Sequence, residues 1–392
     1  MQFGRVLLVV FLAPALLSGC SMEKDPIVMS PLPNVEDKFS PSIIWHRSVG
    51  NGIGKYYSQL SPAYDDSVVY AADRQGTVKA ITFDSGKILW SIDLSEHVGF
   101  FSSNLPALLS SGLTISGDKI YLGTERGKVI ALNKTNGSIE WKTDAFGEVL
   151  SQPVVSNNLL LIHTSNGILQ ALDVTSGQNK WSLTLESSKL SIRGKSAPAI
   201  DHGIAIIGSY GGRINAVMLD QGEILWRQYI STIHGATEID RLHDVNITPV
   251  IDINSGTVFV IAYNGNIAAI DIRSHQIIWK RNFGSVNDII LAKNNIYLVD
   301  QNDLVLALNK YDGCILWTQE ALLHRHLTAP VIYDDYLVLG DGEGYLHWLE
   351  INGGKFAAKN RVNRSGLRSR PVIASGKLLI QANDGVVYLI AR

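Results

Sequence analysis

Histidine and carboxylate residues cluster at two places in the sequence, and each cluster contains residue types that bind transition metals. His324 and His326 are one residue apart in the stretch LLHRHL. The second set comprises His234, Glu238, Asp240, His243 and Asp244. Structural zinc sites use such ligands at regular spacings, with further ligands supplied in register. Neither segment has that spacing, so we interpret both as connections between secondary-structure elements and predict no metal site.

Two glycine-containing segments superficially resemble ligand-binding loops. GNGIGK (50–55) lacks the GxxxxGK[ST] spacing and the following helix that a phosphate-binding loop needs. GDGEG (340–344) is acidic but lies where other parts of the chain place an ordinary turn. No GxSxG nucleophile motif occurs. The sequence therefore predicts no catalytic residue.

The composition describes a turn-rich chain without a strong charge preference. Its 392 residues include 35 glycines, and 46% of the residues are hydrophobic. The formal net charge is −2 and only 18% of residues are charged, which argues against a nucleic-acid partner. A chain of this length can form two or three ordinary domains or one large β architecture.

The first twenty residues have the features of a secretory signal. Arg5 precedes the apolar run VLLVVFLAPALL, which is shorter than the ~20 residues that cross a bilayer. LSGC (17–20) resembles the bacterial lipobox, in which the cysteine is diacylated and becomes the mature N-terminus. The alternative is an ordinary signal with a chance cysteine. We predict a signal peptide over residues 1–19 and lipid attachment at Cys20.

The segment that follows is predicted to be a lipidated, proline-containing tether over residues 20–41. Its prolines are Pro26, Pro31, Pro33 and Pro41, and they stiffen the chain and remove backbone donors. By resemblance to enterobacterial lipoproteins, Ser21 favours the outer membrane. Cys314 is the other cysteine, so acylation of Cys20 leaves it without a partner for an internal disulfide.

The remainder of the chain repeats one pattern, which is an apolar strand, a turn, a second strand, a second turn and a strand that ends in Trp. The recurring tryptophans are Trp90, Trp141, Trp181, Trp226, Trp279 and Trp317. The first-turn residues are Gly76, Gly127, Gly167, Gly212, Gly265, Asp303, Gly344 and Gly385. These turns are expected to need positive φ, which glycine adopts freely and Asp tolerates better than most residues. Each large ring is expected to bury against the neighbouring unit.

A proline before most copies indicates the start of one further strand. These prolines are Pro62, Pro106, Pro153, Pro198, Pro249, Pro330 and Pro371. Four strands per repeat and turns 38 to 53 residues apart are typical of propeller blades. The eighth copy ends before its last strand, and SIIWHRS (42–48) supplies an unassigned Trp45. We therefore predict an all-β fold over residues 42–392: an eight-bladed β-propeller of four-stranded antiparallel blades, closed by the N-terminal strand completing the last blade.

Two consecutive connections between blades are longer than the rest. The steps from Trp181 to Pro198 and from Trp226 to Pro249 take 17 and 23 residues, against 12 from Trp141 to Pro153. Equivalent connections of adjacent blades emerge on the same face. The first contains Leu190, Ile192 and Arg193 and the second Asp244 and Asn246. Aliphatic groups beside Arg and acidic groups fit protein recognition, and the alternative is that Leu190 and Ile192 form a satellite core under the loop. The segment from Pro106 to Gly127 is also long, without an assigned role.

Several stretches carry a family resemblance. ALDVTSGQNKW (171–181) resembles the tryptophan-docking motif of PQQ-like propeller repeats. LSGC (17–20), GIGKYYS (52–58), LLIHTSNGILQALD (160–173) and GDGEGYLHW (340–348) resemble the BamB family of outer-membrane protein assembly factors. The resemblance extends from residue 17 to the C-terminus.

This resemblance implies a non-catalytic scaffold lipoprotein without a cofactor, lipid-anchored on the periplasmic side of the outer membrane. Its implied partners are the periplasmic POTRA domains of the barrel subunit BamA, other components of the assembly machinery and nascent outer-membrane proteins. The implied contact residues are Leu190, Ile192, Arg193, Asp244 and Asn246. Asn246 departs from the family, which has a carboxylate there, so an ion pair at this position is expected to be weaker or lost.

Two other functions stay open. A quinoprotein dehydrogenase resembling the repeat family would need a calcium site of Glu, Asn and Asp and, in several relatives, adjacent cysteines, and the sequence has no adjacent cysteines. A propeller that binds envelope polysaccharide would need exposed aromatic residues on one loop face. The candidates for that role are Tyr56, Tyr57, Phe100 and Phe101.

Overall fold

Strands and connections, without a helix, make up the described part of the chain. The structure is a computed structural model that describes residues 27–54, 56, 58, 60–96, 99, 104–186, 190–194, 196–231, 237–239 and 241–392. Within those residues no helix has the length and apolar character needed to cross a bilayer.

The strands form eight antiparallel sheets of four, one for each blade. The N-terminal strand is β1 (Ser42–Ser48). Blades one to four comprise β2 (Ala63–Asp65), β3 (Val68–Ala72), β4 (Thr77–Thr82) and β5 (Ile88–Asp93); β6 (Thr114–Ser116), β7 (Lys119–Gly123), β8 (Lys128–Asn133) and β9 (Ile139–Asp144); β10 (Val154–Ser156), β11 (Leu159–His163), β12 (Ile168–Asp173) and β13 (Asn179–Thr184); and β14 (Ala199–Asp201), β15 (Ile204–Ser209), β16 (Arg213–Met218) and β17 (Ile224–Tyr229). Blades five to eight comprise β18 (Val250–Asp252), β19 (Thr257–Ile261), β20 (Ile267–Asp271) and β21 (Ile277–Arg281); β22 (Ile290–Ala292), β23 (Asn295–Val299), β24 (Val305–Asn309) and β25 (Ile315–Gln319); β26 (Val331–Tyr333), β27 (Tyr336–Gly340), β28 (Tyr345–Glu350) and β29 (Phe356–Arg361); and β30 (Val372–Ala374), β31 (Lys377–Gln381) and β32 (Val386–Ala391), completed by β1.

The strand sequences follow from their places in a blade. The two middle strands are covered on both faces by neighbouring blades, so LLLIH in β11 and ILQALD in β12 are buried almost throughout. The outermost strand has one covered and one open face, so NKWSLT in β13 alternates between exposed and partly buried residues.

Antiparallel pairing assigns every connection to one of two faces. Turns between the second and third strands, and the connections from one blade to the next, lie on what we call the upper face. Turns between the first and second strands and between the third and fourth strands lie on the lower face. Chain order and sheet order together fix this assignment.

The ring closes as predicted, which confirms the eight-bladed fold. β1 pairs antiparallel with β32, from Ser42 opposite Ala391 to Ser48 opposite Val386. The last sheet therefore joins the two ends of the chain, and its outer strand carries Trp45.

Each tryptophan of the repeat packs on the lower-face turn of the following blade. The indole Nε1 of Trp181 donates to the carbonyl of Leu219 at 2.9 Å. A Cβ added at Gly222 would lie 2.5 Å from the Trp181 ring, and Gly222 has a φ of +71°. Only glycine satisfies both conditions without strain. The same arrangement joins the pairs Trp45–Gly86, Trp90–Gly137, Trp141–Gly177, Trp279–Gly313 and Trp317–Gly354. Trp226 instead stacks on His275, with ring centroids 5.1 Å apart.

Blade seven has Ala358 in the tryptophan position for a topological reason. The outer strand of blade eight comes from the N-terminus, so β32 has no turn to a fourth strand on which a tryptophan could pack. Trp348 lies opposite Ala358 and is fully buried. Its ring contacts Tyr333 at 5.3 Å and Phe39 at 5.4 Å between centroids.

Two local predictions were wrong. The fifth upper turn takes its positive φ at Asn264 (46°) rather than at Gly265, where a Cβ would lie 2.3 Å from the Ser231 hydroxyl. The innermost strand of blade two begins at Thr114, not after Pro106. Residues 106–113 instead lie beside the upper turn of blade one, where the amide of Leu109 donates to the Arg74 carbonyl at 3.0 Å. The additional residues before Gly127 therefore belong to the connection between blades one and two. This connection, residues 94–113, is as long as that between blades four and five, residues 230–249. Asp303, by contrast, has the predicted positive φ, at 66°.

The closing strand should stabilise the ring mainly through Trp45. We expect Trp45→Ala to lower the free energy of unfolding by about 3–5 kcal/mol, because the change empties the site over Gly86 and leaves the buried Phe83 carbonyl without its donor. Urea denaturation, monitored by tryptophan fluorescence, measures the change in unfolding free energy. Ile44→Ala, on an exposed side chain of the same strand, is the control. Equal losses for the two variants would show that the ring does not depend on this contact.

Candidate functional site on the upper face

The connections over residues 185–198 and 230–249 meet on the upper face, as their positions predicted. They are not the two longest, because residues 94–113 form a connection as long as the second and longer than the first. The segment 190–194 lies against residues 244–246, which belong to the connection between blades four and five. The backbone amide of Ile192 donates to Asp244 Oδ2 at 3.4 Å. The Asn246 amide Nδ2 donates to the Ile192 carbonyl at 3.4 Å. One loop therefore holds the backbone of the other on both sides of Ile192.

Asp244 supports the loop and is not part of its surface. Its side chain is 1% exposed, and Oδ1 also accepts from the amide of Gly211 at 3.3 Å. A buried carboxylate that accepts backbone N–H groups holds the chain in place. Sequence reasoning grouped Asp244 with the contact residues, but the structure places it underneath them.

Asn246 has a use that a carboxylate could not serve. Its Nδ2 group is the donor to the Ile192 carbonyl, and an ionised Asp has no donor. The departure from the family pattern is therefore compatible with a positioned loop.

The aliphatic residues of this surface differ in exposure. Leu190 is 44% exposed, so it does not lie in a satellite core under the loop, whereas Ile192 is partly buried. Ile239, in the neighbouring connection, is 64% exposed. Leu190 and Ile239 therefore present apolar surface on the two adjoining connections.

Arg193 is exposed but held in place. Its side chain is 42% exposed, with guanidinium nitrogens 3.2 Å from Glu125 Oε2 and 3.3 Å from Glu148 Oε2. Glu125 lies in the upper turn of blade two and Glu148 in the connection from blade two to blade three. Two carboxylates from the neighbouring blade thus fix the direction of the arginine.

Glu125 is fixed in turn by blade one. Arg74 donates to both of its oxygens at 2.9 Å, and the Arg74 guanidinium lies 4.0 Å from the centroid of the Tyr56 ring. The hydrogen bonds to Glu125 raise the pKa of Arg74, against the opposing effect of burial. We call Arg74, Glu125, Glu148 and Arg193 the charge network. It connects blade one to the loop between blades three and four.

Sequence reasoning missed three members of this network because it searched only the long connections. Arg74 and Glu125 occupy upper turns, DRQG (73–76) and TERG (124–127), whose spacing is regular. The available signal was their composition: Arg74 and Glu125 carry opposite charges at the turn position where LLIHTSNG (160–167) has Ser165.

The residues considered as metal ligands have other contacts. Among the described residues, no group of three or more His, Cys, Asp or Glu side chains is placed to hold a metal ion. His234 and Asp240 lie outside those residues. Asp341 of GDGEG accepts the amides of Glu343 and Tyr345 at 3.0 and 2.9 Å, as a turn residue does. Burial opposes its ionisation, but His347, backbone amides and Arg325 more than offset this effect and lower its pKa.

The channel along the propeller axis carries opposite charges that face each other. Arg370 and Asp288 approach to 3.7 Å, and Asp288 Oδ1 accepts the Thr248 amide at 3.0 Å. These residues precede the innermost strands of blades eight, six and five. The pair places a cation and an anion together at the axis.

Cys20, the predicted lipid-attachment residue, lies outside the described residues.

Comparison with known proteins agrees with the resemblance found in the sequence. A family model described as outer membrane protein assembly factor BamB matches residues 74–319. The assembly factor BamB of Yersinia pestis is 54% identical over 395 aligned residues, which cover 100% of both chains. That of Escherichia coli K12 has the same identity and coverage.

Solved structures show the same fold at lower identity. BamB from Moraxella catarrhalis superposes with a TM-score of 0.80 at 24% identity and covers 90% of this chain and 100% of its own. The quinohemoprotein alcohol dehydrogenase of Comamonas testosteroni has a TM-score of 0.70 at 12% identity, over 89% of this chain and 76% of its own. These two likenesses concern the fold alone. By the family model and the full-length relatives, the chain belongs to the outer membrane protein assembly factor BamB family.

Proposed function

We propose that this chain is a non-catalytic scaffold of the outer-membrane β-barrel assembly machinery. It is attached to the periplasmic side of the outer membrane by lipid on Cys20, and it binds the POTRA domains of the barrel subunit BamA. Through that complex it meets other machinery components and assists nascent outer-membrane proteins. Membership of the assembly factor family supports the general role, and the upper-face surface supports the mode of binding.

The observation that best supports the binding proposal is that Arg193 is exposed and yet held by two ion pairs. Arginine is enriched among the few residues that dominate binding at protein interfaces. Because Glu125 and Glu148 already fix its direction, little side-chain entropy is lost when a partner binds. We propose that Leu190, Ile192 and Arg193 contact the partner, and that Asp244 and Asn246 hold them in position.

The other two functions have less support. Of the four aromatic candidates for polysaccharide binding, Tyr57, Phe100 and Phe101 lie outside the described residues. Tyr56 is 51% exposed and covers the guanidinium of the buried Arg74, so the described residues supply a single aromatic side chain for that role. A quinoprotein enzyme would show quinone absorbance and bound Ca²⁺ in the purified protein. Those two measurements distinguish it from the scaffold.

Reversing the charge at Arg193 should abolish the interaction. We expect Arg193→Glu to lose co-purification with the barrel subunit from solubilised membranes, because it places a third carboxylate beside Glu125 and Glu148. Arg126→Glu, at an exposed arginine on the same face, is the matched control and should retain the partner. Retained co-purification by a folded Arg193→Glu variant would count against the assigned surface.

Asp244 makes more hydrogen bonds to backbone groups than Asn246, so its loss should weaken partner binding more. Asp244→Ala leaves two backbone amides without an acceptor, and we expect binding of the POTRA domains to weaken about tenfold or more. Asn246→Ala removes one donor and should weaken it about fivefold. Titration calorimetry measures both, with Asp220→Ala on the lower face as the control. An Asp244→Ala variant that binds normally would contradict the positioning role.

The two carboxylates that hold Arg193 should differ in their effect on stability. Glu125→Ala leaves the Arg74 side chain, only 10% exposed, with an unpaired charge, so we expect a loss of about 3 kcal/mol in unfolding free energy. Glu148 is 40% exposed, and Glu148→Ala should cost less than about 1 kcal/mol. Urea denaturation compares them, and similar losses would mean that Arg74 does not depend on Glu125.

A further inference from the structure

The segment that precedes the propeller lies along the outer edge of blade seven. The backbone amide of Lys38 donates to the Ala357 carbonyl of β29 at 2.7 Å. The amide of Lys359 donates to Asp37 Oδ1 at 3.0 Å, and its ammonium group donates to the Pro33 carbonyl. Residues 33–38 therefore cover a strand edge that would otherwise be open.

An aromatic contact fixes the lower part of this segment. The Phe39 ring lies 5.0 Å from that of Tyr336 and 5.4 Å from that of Trp348, centroid to centroid. The guanidinium of Arg392 lies 5.0 Å from the Phe39 centroid and 4.9 Å from that of Tyr336. Phe39 thus packs against the hydrophobic cluster that includes Trp348 and Ala358.

Arg325 fixes the upper part. Its NH1 group donates to the Ser30 carbonyl at 2.8 Å, and the Ser30 amide donates to the Leu323 carbonyl at 3.0 Å. The Arg325 side chain is 1% exposed and is ion-paired with Asp341 at 2.8 Å and with Glu343. A charge so deeply buried is stable only when fully paired.

The backbone on both sides of Arg325 is strained. His324 and His326 both have positive φ, 60° and 57°, which non-glycine residues rarely adopt. Such conformations persist where the surrounding structure requires them. Arg325, between these two residues, donates to Asp341 and to the Ser30 carbonyl.

The two ends of the segment lie on opposite faces of the ring. Arg325 and Asp341 belong to an inter-blade connection and an upper turn, so Ser30 is on the upper face. β1 starts on the lower face, because its far end leads into the upper connection to blade one. Beyond Ser30, toward the N-terminus, Ile27 and Val28 are 81% and 70% exposed.

We infer that Arg325 and Phe39 form a latch that makes the chain leave the propeller from its upper face, so that this face is held toward the lipid surface. The inference rests on the proposed attachment of lipid at Cys20. Ten residues separate Cys20 from Ser30 and span at most about 35 Å. Without the latch, the free chain would start at Ser42 on the lower face and reach about 75 Å. The exposed aliphatic residues Ile27 and Val28 fit a phospholipid interface.

Blade six offers a matched pair of reporter positions. Cys314 is an exposed thiol in its lower turn, and Asn302 is exposed in its upper turn. A donor dye on Cys314 is compared with one on Asn302→Cys in a Cys314→Ser background, in full-length lipidated protein bound to vesicles that carry an acceptor on phospholipid headgroups. We expect energy transfer about twofold higher from the upper position, since the blade height separates the two dyes.

Loss of the latch should remove this difference. Arg325→Gln tests it from the propeller, and Ser30→Pro with Phe39→Ala tests it from the segment without altering a blade. Arg361→Gln is the control, because Arg361 donates to the Glu343 carbonyl and makes no hydrogen bond or ion pair with the described residues 27–41. A difference that persists in both latch variants, or equal transfer from both positions in the unmodified protein, overturns the inference. Failure of the unmodified protein to float with vesicles overturns lipid attachment itself, and with it the membrane orientation.

Discussion

The contact of a tryptophan ring with a glycine turn of the next blade is the interaction on which the propeller depends. Successive blades are joined by one connection each, so their relative position is set by packing. Trp181 over Gly222 shows the constraint: the turn needs a positive φ and the ring leaves no room for a Cβ. Because this contact recurs around the ring, the upper connections are free to vary in length without disturbing it.

The charge network lies among these upper turns and connections. Arg74 and Glu125 lie in upper turns held by strands on both sides, and Arg193 lies in a longer connection that gains its geometry from them. Asp244 and Asn246 supply the same kind of support from the other side. Ile192 and Arg193 are thus held from both sides before any partner binds. Preorganisation of this kind lowers the entropic cost of association.

The sequence was sufficient to predict most of the repeated blade structure, but few of the side-chain contacts between blades. The Trp and Gly spacing was sufficient for the blade number and for the role of Trp45. Pro106 led to a wrong strand start, because proline is typical of the first residue of a strand but here lies in the connection before β6. Arg74 and Glu125 occupy equivalent positions of consecutive upper turns, 51 residues apart, so the repeat relates the two positions but does not show that their side chains pair. The burial of Asp244 depends on the packing of two connections, which no local pattern records.

The pairing of Ser42 with Ala391 has a consequence for the order of folding. The last sheet needs both β1 and β32, so it cannot form until β32 has been synthesised. Its partner strand must wait unpaired through the formation of seven blades. Contacts between such distant residues carry a large loop-closure entropy and form slowly when made early. Here the intervening blades bring the ends together first, so closure becomes a late and nearly local step.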